Sequence, residues 1–198
     1  TLAIKYYSEL HAKRFYYKPT PYIYHSEPSD DALYWLFRHN AQLVSRGASQ
    51  TIDLTQGNIQ LSTLRKRKIK RASITSPIIS NDIKDLPAYW ILLTEVLDKV
   101  HQVAPVHTLE EITLLQCKFR DNIKLYTSIV NDKVEAGVMI FECGKTAHAQ
   151  YISASDLSRE EGILDALLYE VILTYKSAGY KYFDFGISTE NGGNRNGI

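Results

Sequence analysis

The alternation of apolar and polar residues is clearest in the C-terminal half, where it predicts three consecutive β-strands. Val, Ile, Tyr and Thr are enriched in these stretches, and short runs of Asn, Asp, Gly and Lys separate them. The predicted strands are Ile123–Val130, Val134–Glu142 and Thr146–Ala154. Because the connections are too short for a crossover, consecutive strands should pair antiparallel and form a meander.

Helical periodicity replaces the alternation after the third strand. The apolar residues that share this spacing are Ile163, Leu164, Leu167, Leu168, Val171, Ile172 and Tyr175. Ser158 and Glu161 have the spacing of a capping box, and Gly179 is the expected C-cap of the helix. The strand that follows, Tyr180–Gly186, should lie parallel to the third strand because a helix connects them.

Two more helices are predicted before the meander. The first covers Ala88–Val100, with Pro87 in its first turn, where the missing N–H costs nothing. The second begins at a capping box formed by Thr108 and Glu111 and continues to about Phe119. The pattern therefore predicts an α/β (α+β) fold in which a mixed sheet combines an antiparallel meander with a strand–helix–strand crossover.

The N-terminal half contains a weaker version of the same pattern. An extended segment from Phe15 to His25 precedes a predicted helix that opens at Pro28, carries apolar residues to Val44 and ends at Gly47. A strand, Ser49–Thr55, follows. The Tyr-to-Asp spacing across this unit nearly equals that from Tyr151 to Asp184. We interpret the N-terminal unit as a partial copy of the C-terminal one.

A basic run separates the two halves. Six of the seven residues in Arg65–Arg71 are Lys or Arg, and Thr75-Ser76-Pro77 follows as a plausible boundary. We therefore expect two domains: residues 1–76, a partial copy that includes a basic linker helix, and residues 77–198, which contain the complete unit. The second domain is expected to continue beyond the C-terminal residue, and the chain to begin upstream of its first residue, which is not Met.

Composition narrows the class of protein but not its function. Apolar residues make up 44% and charged residues 23%, as in ordinary globular proteins, and the net charge of +1 gives no global argument for nucleic acid. Two distant cysteines predict neither a disulfide framework nor a zinc site, and no metal is expected. Without a signal peptide or a membrane span, the sequence is typical of a cytoplasmic protein.

Several segments together carry a family resemblance. Glu135–Val138, Ala147–Ala154, the long helix and Tyr182–Glu190, with Pro105–Thr108, resemble the second domain of bacterial proteins with tandem folds of the GCN5-related N-acetyltransferase (GNAT) superfamily. Relatives of these proteins include the Fem-type aminoacyltransferases, which add amino acids from aminoacyl-tRNA to peptidoglycan precursors. The resemblance implies transfer of an acyl (acetyl) group to a small-molecule or peptide amine, with acetyl-CoA or another acyl-CoA as cofactor.

One stretch departs from the superfamily pattern. A Gln/Arg-x-x-Gly-x-Gly/Ala turn normally surrounds the coenzyme A pyrophosphate with backbone N–H groups. The equivalent stretch here, Ser155–Gly162, has one Gly and three acids, which would repel a pyrophosphate. The acyl donor is therefore either acetyl-CoA or another activated acyl donor, or, in a second hypothesis, an aminoacyl-tRNA. A third hypothesis is a non-catalytic binding module with this fold.

The resemblance also implies where a site would lie, in a cleft between the ends of the third strand and the strand after the long helix. Asp184 is the first candidate for a polar anchor or base, Glu190 the second, and Tyr151 is a candidate proton donor. The candidate binding residues are Gln150, Ile152, Gly186, Ser188, His148, His107, Arg65 and Lys66. Period-2 alternation predicts that His148 shares a face with Gln150 and Ile152, and Arg65 and Lys66 are candidates for contacting phosphate.

Overall fold

A computed structural model describes residues 2–187 of the protein, which fall into two compact units, Thr1–Val44 and Ser45–Ile198. Residues 2–44, the described part of the first unit, contain two helices, α1 (Leu2–Glu9) and α2 (Asp31–Arg38), and a short 3₁₀ helix, Tyr22–Tyr24.

Two predictions for the first unit are wrong. The segment Tyr22–His25, predicted to be extended, forms the 3₁₀ helix, in which the backbone N–H of His25 donates to the carbonyl of Tyr22. A local turn satisfies these backbone groups without a neighbouring strand. The helix predicted to reach Val44 ends at Arg38, and Asn40 adopts a left-handed conformation that cannot continue it.

The second unit is built on a mixed sheet. Within residues 2–187 the sheet has six strands in the order β1-β6-β5-β4-β3-β2. The strands are β1 (Ser49–Asp53), β2 (Ile78–Ser80), β3 (Ile123–Val130), β4 (Lys133–Cys143), β5 (Thr146–Ala154) and β6 (Tyr182–Ile187). The predicted meander is confirmed, since β3, β4 and β5 pair antiparallel, and β5 pairs parallel with β6 as expected.

Helices cover both faces of this sheet. They are α3 (Thr63–Thr75), α4 (Leu86–His101), α5 (Leu109–Lys118), α6 (Asp156–Glu161) and α7 (Ile163–Ser177). The capping box predicted for α5 is confirmed, because Thr108 and Glu111 bond to each other's backbone N–H groups. Among residues 2–187, no helix is both long and apolar enough to cross a bilayer.

Two apolar cores lie on opposite faces of the sheet. The apolar face predicted for α7 is buried, and it packs with Ala72 of α3 against side chains of β4, β5 and β6. On the other face, α4 and α5 pack against β3, β4 and β5. Gly137 of β4 lies under the ring of Tyr89 of α4, so closely that a Cβ would come within 2.3 Å of the ring. This glycine lets α4 lie directly on the centre of the sheet.

The crossover between β5 and β6 differs from the prediction of a single helix capped at Ser158. The N-cap is Ser155, whose hydroxyl accepts the backbone N–H of Ser158, so the predicted capping box of Ser158 with Glu161 is wrong. Gly162, with φ of +76°, then separates α6 from α7. A left-handed residue interrupts the hydrogen-bond ladder of a helix, and glycine adopts it without steric cost.

The segment Ser45–Thr75 belongs to the second unit. Strand β1 pairs antiparallel with β6, and α3 packs on α6 and α7. The division between the compact units therefore lies between Val44 and Ser45, earlier in the chain than the boundary expected between residues 76 and 77. The expected duplication of the C-terminal unit in residues 1–76 stays a prediction.

Candidate active site

Strands β5 and β6 pair over only part of their lengths. The parallel register runs from Thr146–Tyr182 to His148–Asp184. From there β5 continues to Ala154 and β6 to Ile187. The sheet thus has a gap beside the second half of β5, at the position where the resemblance placed a cleft.

A β-bulge lies at the start of this gap. Met139 of β4 faces Tyr151 and Ile140 faces Ala149, so that Gln150 is the extra residue in β5. A bulge places its extra residue outside the regular ladder and reverses the alternation of the side chains that follow. The bulge therefore changes which residues share a face.

The predicted grouping of His148 with Gln150 and Ile152 on one face is wrong for Ile152. Ala147, Ala149 and Ile152 pack into the core beneath α7, whereas Tyr151 packs into the core beneath α4. His148 and Gln150 alternate with Ala147 and Ala149, which places them on the α4 face. The bulge thus brings His148, Gln150 and Tyr151 to one face.

His148 and Asp184 form a hydrogen-bonded pair where the two strands part. The Nδ1 atom of His148 lies 3.0 Å from Oδ2 of Asp184, and the two side chains are 24% and 4% exposed. A carboxylate can only accept, so Nδ1 carries the proton in this bond. The Nε2 atom of His148 lies 3.2 Å from the amide oxygen of Gln150. The side-chain amide of Gln150 can rotate, so that its oxygen accepts from a protonated Nε2 or its NH₂ group donates to an unprotonated Nε2.

The other carboxylate oxygen of Asp184 accepts two hydrogen bonds. The hydroxyl of Thr51 donates to Oδ1 at 2.9 Å, and the backbone N–H of Gly186 donates to it at 3.2 Å. Gly186 has φ of +78°, and a Cβ there would lie 3.1 Å from Cε1 of His148. Gly186, His148 and Asp184 are among the residues predicted from the sequence, whereas Thr51 is not.

Tyr151 and His107 form a second pair. The Tyr151 phenol lies 2.5 Å from Nδ1 of His107, which precedes α5, and its ring packs edge-on against Trp90 of α4. Desolvation raises the pKa of the Tyr151 phenol, while its contacts with His107 and Gln150 act in the opposite direction. The phenol therefore keeps its proton at neutral pH, and the tautomer of His107 decides which of the two groups donates in this bond.

The start of α6 fits a pyrophosphate poorly. The backbone N–H of Ser158 is bonded to Ser155, and the hydroxyl of Ser155 donates to the buried carboxylate of Glu135. Asp156, at the first position of α6, places a negative charge where a phosphate would bind, and Lys99 pairs with it at 2.6 Å. This charge and these occupied groups agree with the repulsion expected from the sequence.

The basic run lies on α3, and half of its charges are paired. Arg65 and Lys68 pair with the buried Asp165 of α7, and Arg71 forms a two-bond ion pair with Glu161 of α6. The remaining cations, Lys66, Arg67 and Lys70, are exposed and form no ion pair with another side chain of residues 2–187. Arg65 and Lys66, which the sequence prediction groups together, thus differ: Arg65 pairs with Asp165, whereas Lys66 is exposed to solvent.

The structure brings some predicted residues together and not others. His148, Gln150, Asp184 and Gly186 are in direct contact. Arg65 and Lys66 belong to α3, which packs on α6 and α7. Ser188 and Glu190 lie outside the described residues.

Comparison with known proteins identifies one family. The family model described as an acetyltransferase (GNAT) domain matches residues 82–192, which is more than half of the chain. No curated protein matches the chain.

Several solved structures are similar in fold. FemX is 8% identical, with a TM-score of 0.63, covering 75% of this chain and 54% of FemX. L-PGS from Bacillus licheniformis is 15% identical, with a TM-score of 0.60, covering 82% of this chain and 50% of that protein. The C-terminal domain of a putative lysylphosphatidylglycerol synthetase from Agrobacterium fabrum is 14% identical, with a TM-score of 0.57, covering 78% and 52%. The chain spans about half of each of these structures, and such low identities show the fold alone.

Proposed function

Because the chain belongs to the acetyltransferase (GNAT) family, we propose that it transfers an acyl group from an activated donor to an amine acceptor. The observation that carries the proposal is the His148–Asp184 pair at the point where β5 and β6 part. The gap beside β5 is the proposed place of the acyl group, and a cytoplasmic location is part of the proposal.

The proposed reaction needs two proton transfers. An amine must lose a proton as its nitrogen bonds to the acyl carbon, and the leaving atom must gain one as its bond to that carbon breaks. We assign the first proton to Nε2 of His148, with Asp184 orienting the ring through Nδ1. We assign the second to the phenol of Tyr151, which is protonated at neutral pH.

The backbone of the bulge at Gln150 is the proposed support for the acyl oxygen. A bulge frees backbone groups from the ladder, and an N–H aimed at the developing oxyanion stabilises the transition state. Ile152, on the α7 face, is then a wall of the gap rather than a polar contact. Ser188 and Glu190 stay predictions for the same site.

Substitution of the histidine–aspartate pair tests the proposed roles. We expect Asp184→Asn and His148→Gln each to lower kcat by about 10² to 10⁴, the usual contribution of a positioned acid or base. The control is Asp98→Asn, which removes an exposed carboxylate from α4 and should leave kcat unchanged. Full activity in both pair variants, measured as amide formation with a panel of primary amines, would remove the assignment.

Acyl-CoA is the first donor to test, since family membership indicates it while the start of α6 opposes it. Isothermal titration with acetyl-CoA measures binding directly, without any need to know the acceptor. Binding together with acetyl transfer to an amine would support the acetyl-CoA version. No heat of binding at millimolar ligand would exclude it and leave other activated acyl groups.

A second candidate is aminoacyl transfer from charged tRNA to a cell-envelope acceptor. The observation that favours it is the exposed cationic face of α3, formed by Lys66, Arg67 and Lys70, together with the fold shared with FemX and the lysylphosphatidylglycerol synthetases. Three cations on one helix suit the phosphates of a nucleic acid backbone.

Binding of tRNA at two salt concentrations tests this candidate. We expect Lys66→Ala, Arg67→Ala and Lys70→Ala together to weaken binding and to make its salt dependence shallower, because each phosphate contact releases counterions. The matched control replaces three other exposed cations, Lys84, Lys118 and Arg120, by Ala. It removes the same number of positive charges from other parts of the surface. Equal weakening by both triple variants would show non-specific attraction and contradict the assignment to α3.

A further inference from the structure

The Asp184 carboxylate, on β6, is held by residues of β6 itself and of its two neighbouring strands, β1 and β5. Its Oδ1 atom accepts from the Thr51 hydroxyl and from the backbone N–H of Gly186, and its Oδ2 atom faces Nδ1 of His148. The carboxylate is almost fully buried, so its orientation depends on these partners rather than on water.

Thr51 reaches Asp184 because β1 lies at the edge of the sheet beside β6. The two residues are partners in the antiparallel register, although they are 133 residues apart in the chain. A register shift between Ser49 and Thr51 accompanies this contact. Thr51 also lies outside the segment 82–192 that the family model matches.

We propose that Thr51 is a positioning residue for the acyl transfer, and this inference rests on the proposed function. Its hydroxyl fixes Oδ1 of Asp184, which leaves Oδ2 directed at Nδ1 of His148. The bond to Nδ1 keeps the proton on that nitrogen and the lone pair on Nε2, which must accept the amine proton. The strand β1 thereby completes a site whose other members lie on β5 and β6.

The alternative is that Thr51 only stabilises the pairing of β1 with β6. Thr127 of β3 distinguishes the two roles. Its buried hydroxyl donates to the carboxylate of Asp85 at 2.9 Å and makes no bond to His148 or Asp184. Thr127→Val therefore removes a hydrogen bond of the same type and length. Thr51→Ser retains the hydroxyl and should restore whatever the loss of that group changes.

The experiment measures the tautomer of His148 by ¹⁵N NMR and the steady-state kinetics in the same set of variants. In Thr51→Val we expect the Nδ1–H tautomer of His148 to lose population and kcat to fall about tenfold, as expected for one hydrogen bond to a charged group, with KM nearly unchanged. Thr51→Ser should restore both values, and Thr127→Val should change neither. Thr51→Ala replaces Thr51→Val if the latter does not fold.

The outcomes separate this inference from the proposed function. If the wild-type chain transfers no acyl group, the proposed function fails, whereas the tautomer of His148 still reports on Thr51. An unchanged tautomer and kcat in a folded Thr51 variant would overturn the positioning role. Equal changes in Thr51→Val and Thr127→Val would also overturn it, since they would reflect stability alone.

Discussion

At the scale of single residues, carboxylates organise the hydrogen bonding on both sides of the sheet. Asp184 joins β1, β5 and β6 through Thr51 and His148. Glu142, near the end of β4, accepts the phenols of Tyr175 and Tyr180 at 2.7 and 2.8 Å. Each acid contacts partners that are far away in the sequence, so its role follows only from the folded structure.

The Glu142 cluster gives a prediction about alkaline stability. Desolvation, with the hydrogen bond to Glu142, raises the pKa of Tyr180 to about 12. An unfolded tyrosine has a pKa of about 10. The contribution of Tyr180 to the free energy of unfolding is thus complete below pH 10. It is lost as pH rises through 12, because Tyr180 of the unfolded chain releases its proton at a lower pH than Tyr180 of the folded chain.

Urea unfolding between pH 9 and pH 12 measures this effect. We expect the free energy of unfolding to fall more gently above pH 10 in Tyr180→Phe than in the wild-type chain, because one proton release is removed. Tyr34→Phe, which changes an exposed tyrosine, should retain the wild-type slope. Identical slopes in all three proteins would contradict a raised pKa at Tyr180.

At the scale of elements, the junction of α6 and α7 depends on Gly162. The residue has φ of +76°, and a Cβ on it would lie 2.4 Å from the carbonyl oxygen of Lys68 in α3. Since that atom is backbone, α3 could accommodate a side chain only by moving as a whole. The same helix is held by the ion pairs of Arg65 and Arg71 with Asp165 and Glu161.

We predict that Gly162→Ala destabilises the protein more than Gly179→Ala does. Gly179 has nearly the same φ, +77°, but a Cβ there would meet no atom within 4 Å. Both variants should lose about 1–2 kcal/mol from the left-handed conformation, and Gly162→Ala about 1–3 kcal/mol more from overpacking. Equal losses in urea unfolding would show that α3 yields without cost.

At the scale of the whole molecule, the compact unit that begins at Ser45 includes β1 and α3. Strand β1 pairs with β6, and α3 supplies the partners of the buried Asp165. Removing α3 would leave the buried Asp165 carboxylate without either cation, which disfavours the folded state. Residues 45–75, which precede the predicted boundary at residue 76, are therefore part of the packing of the second unit.

Two truncations test this reading. We expect residues 45–198 to unfold cooperatively with a well-defined Tm. Residues 77–198, which lack β1 and α3, should have a much lower Tm or aggregate through the uncovered edge of β6. Equal Tm values for the two fragments would instead support the boundary between residues 76 and 77.

The sequence by itself determined the elements whose signals are local. The meander strands, α4, the capping box of α5 and the buried face of α7 follow from periodicity and capping residues within a few positions of each other. The family resemblance added the gap between β5 and β6, and with it His148 and Asp184. These features need no knowledge of distant parts of the chain.

Only the tertiary structure decided the features that depend on contacts across the chain. The bulge at Gln150, which moves Tyr151 to the face of His148, results from the pairing of β5 with β4. Thr51 reaches Asp184 through the pairing of β1 with β6, and Gly162 is needed because α3 packs against it. Side-chain periodicity carries no information about a strand's partner or about the helix that covers it, which is the physical reason these contacts could not be predicted.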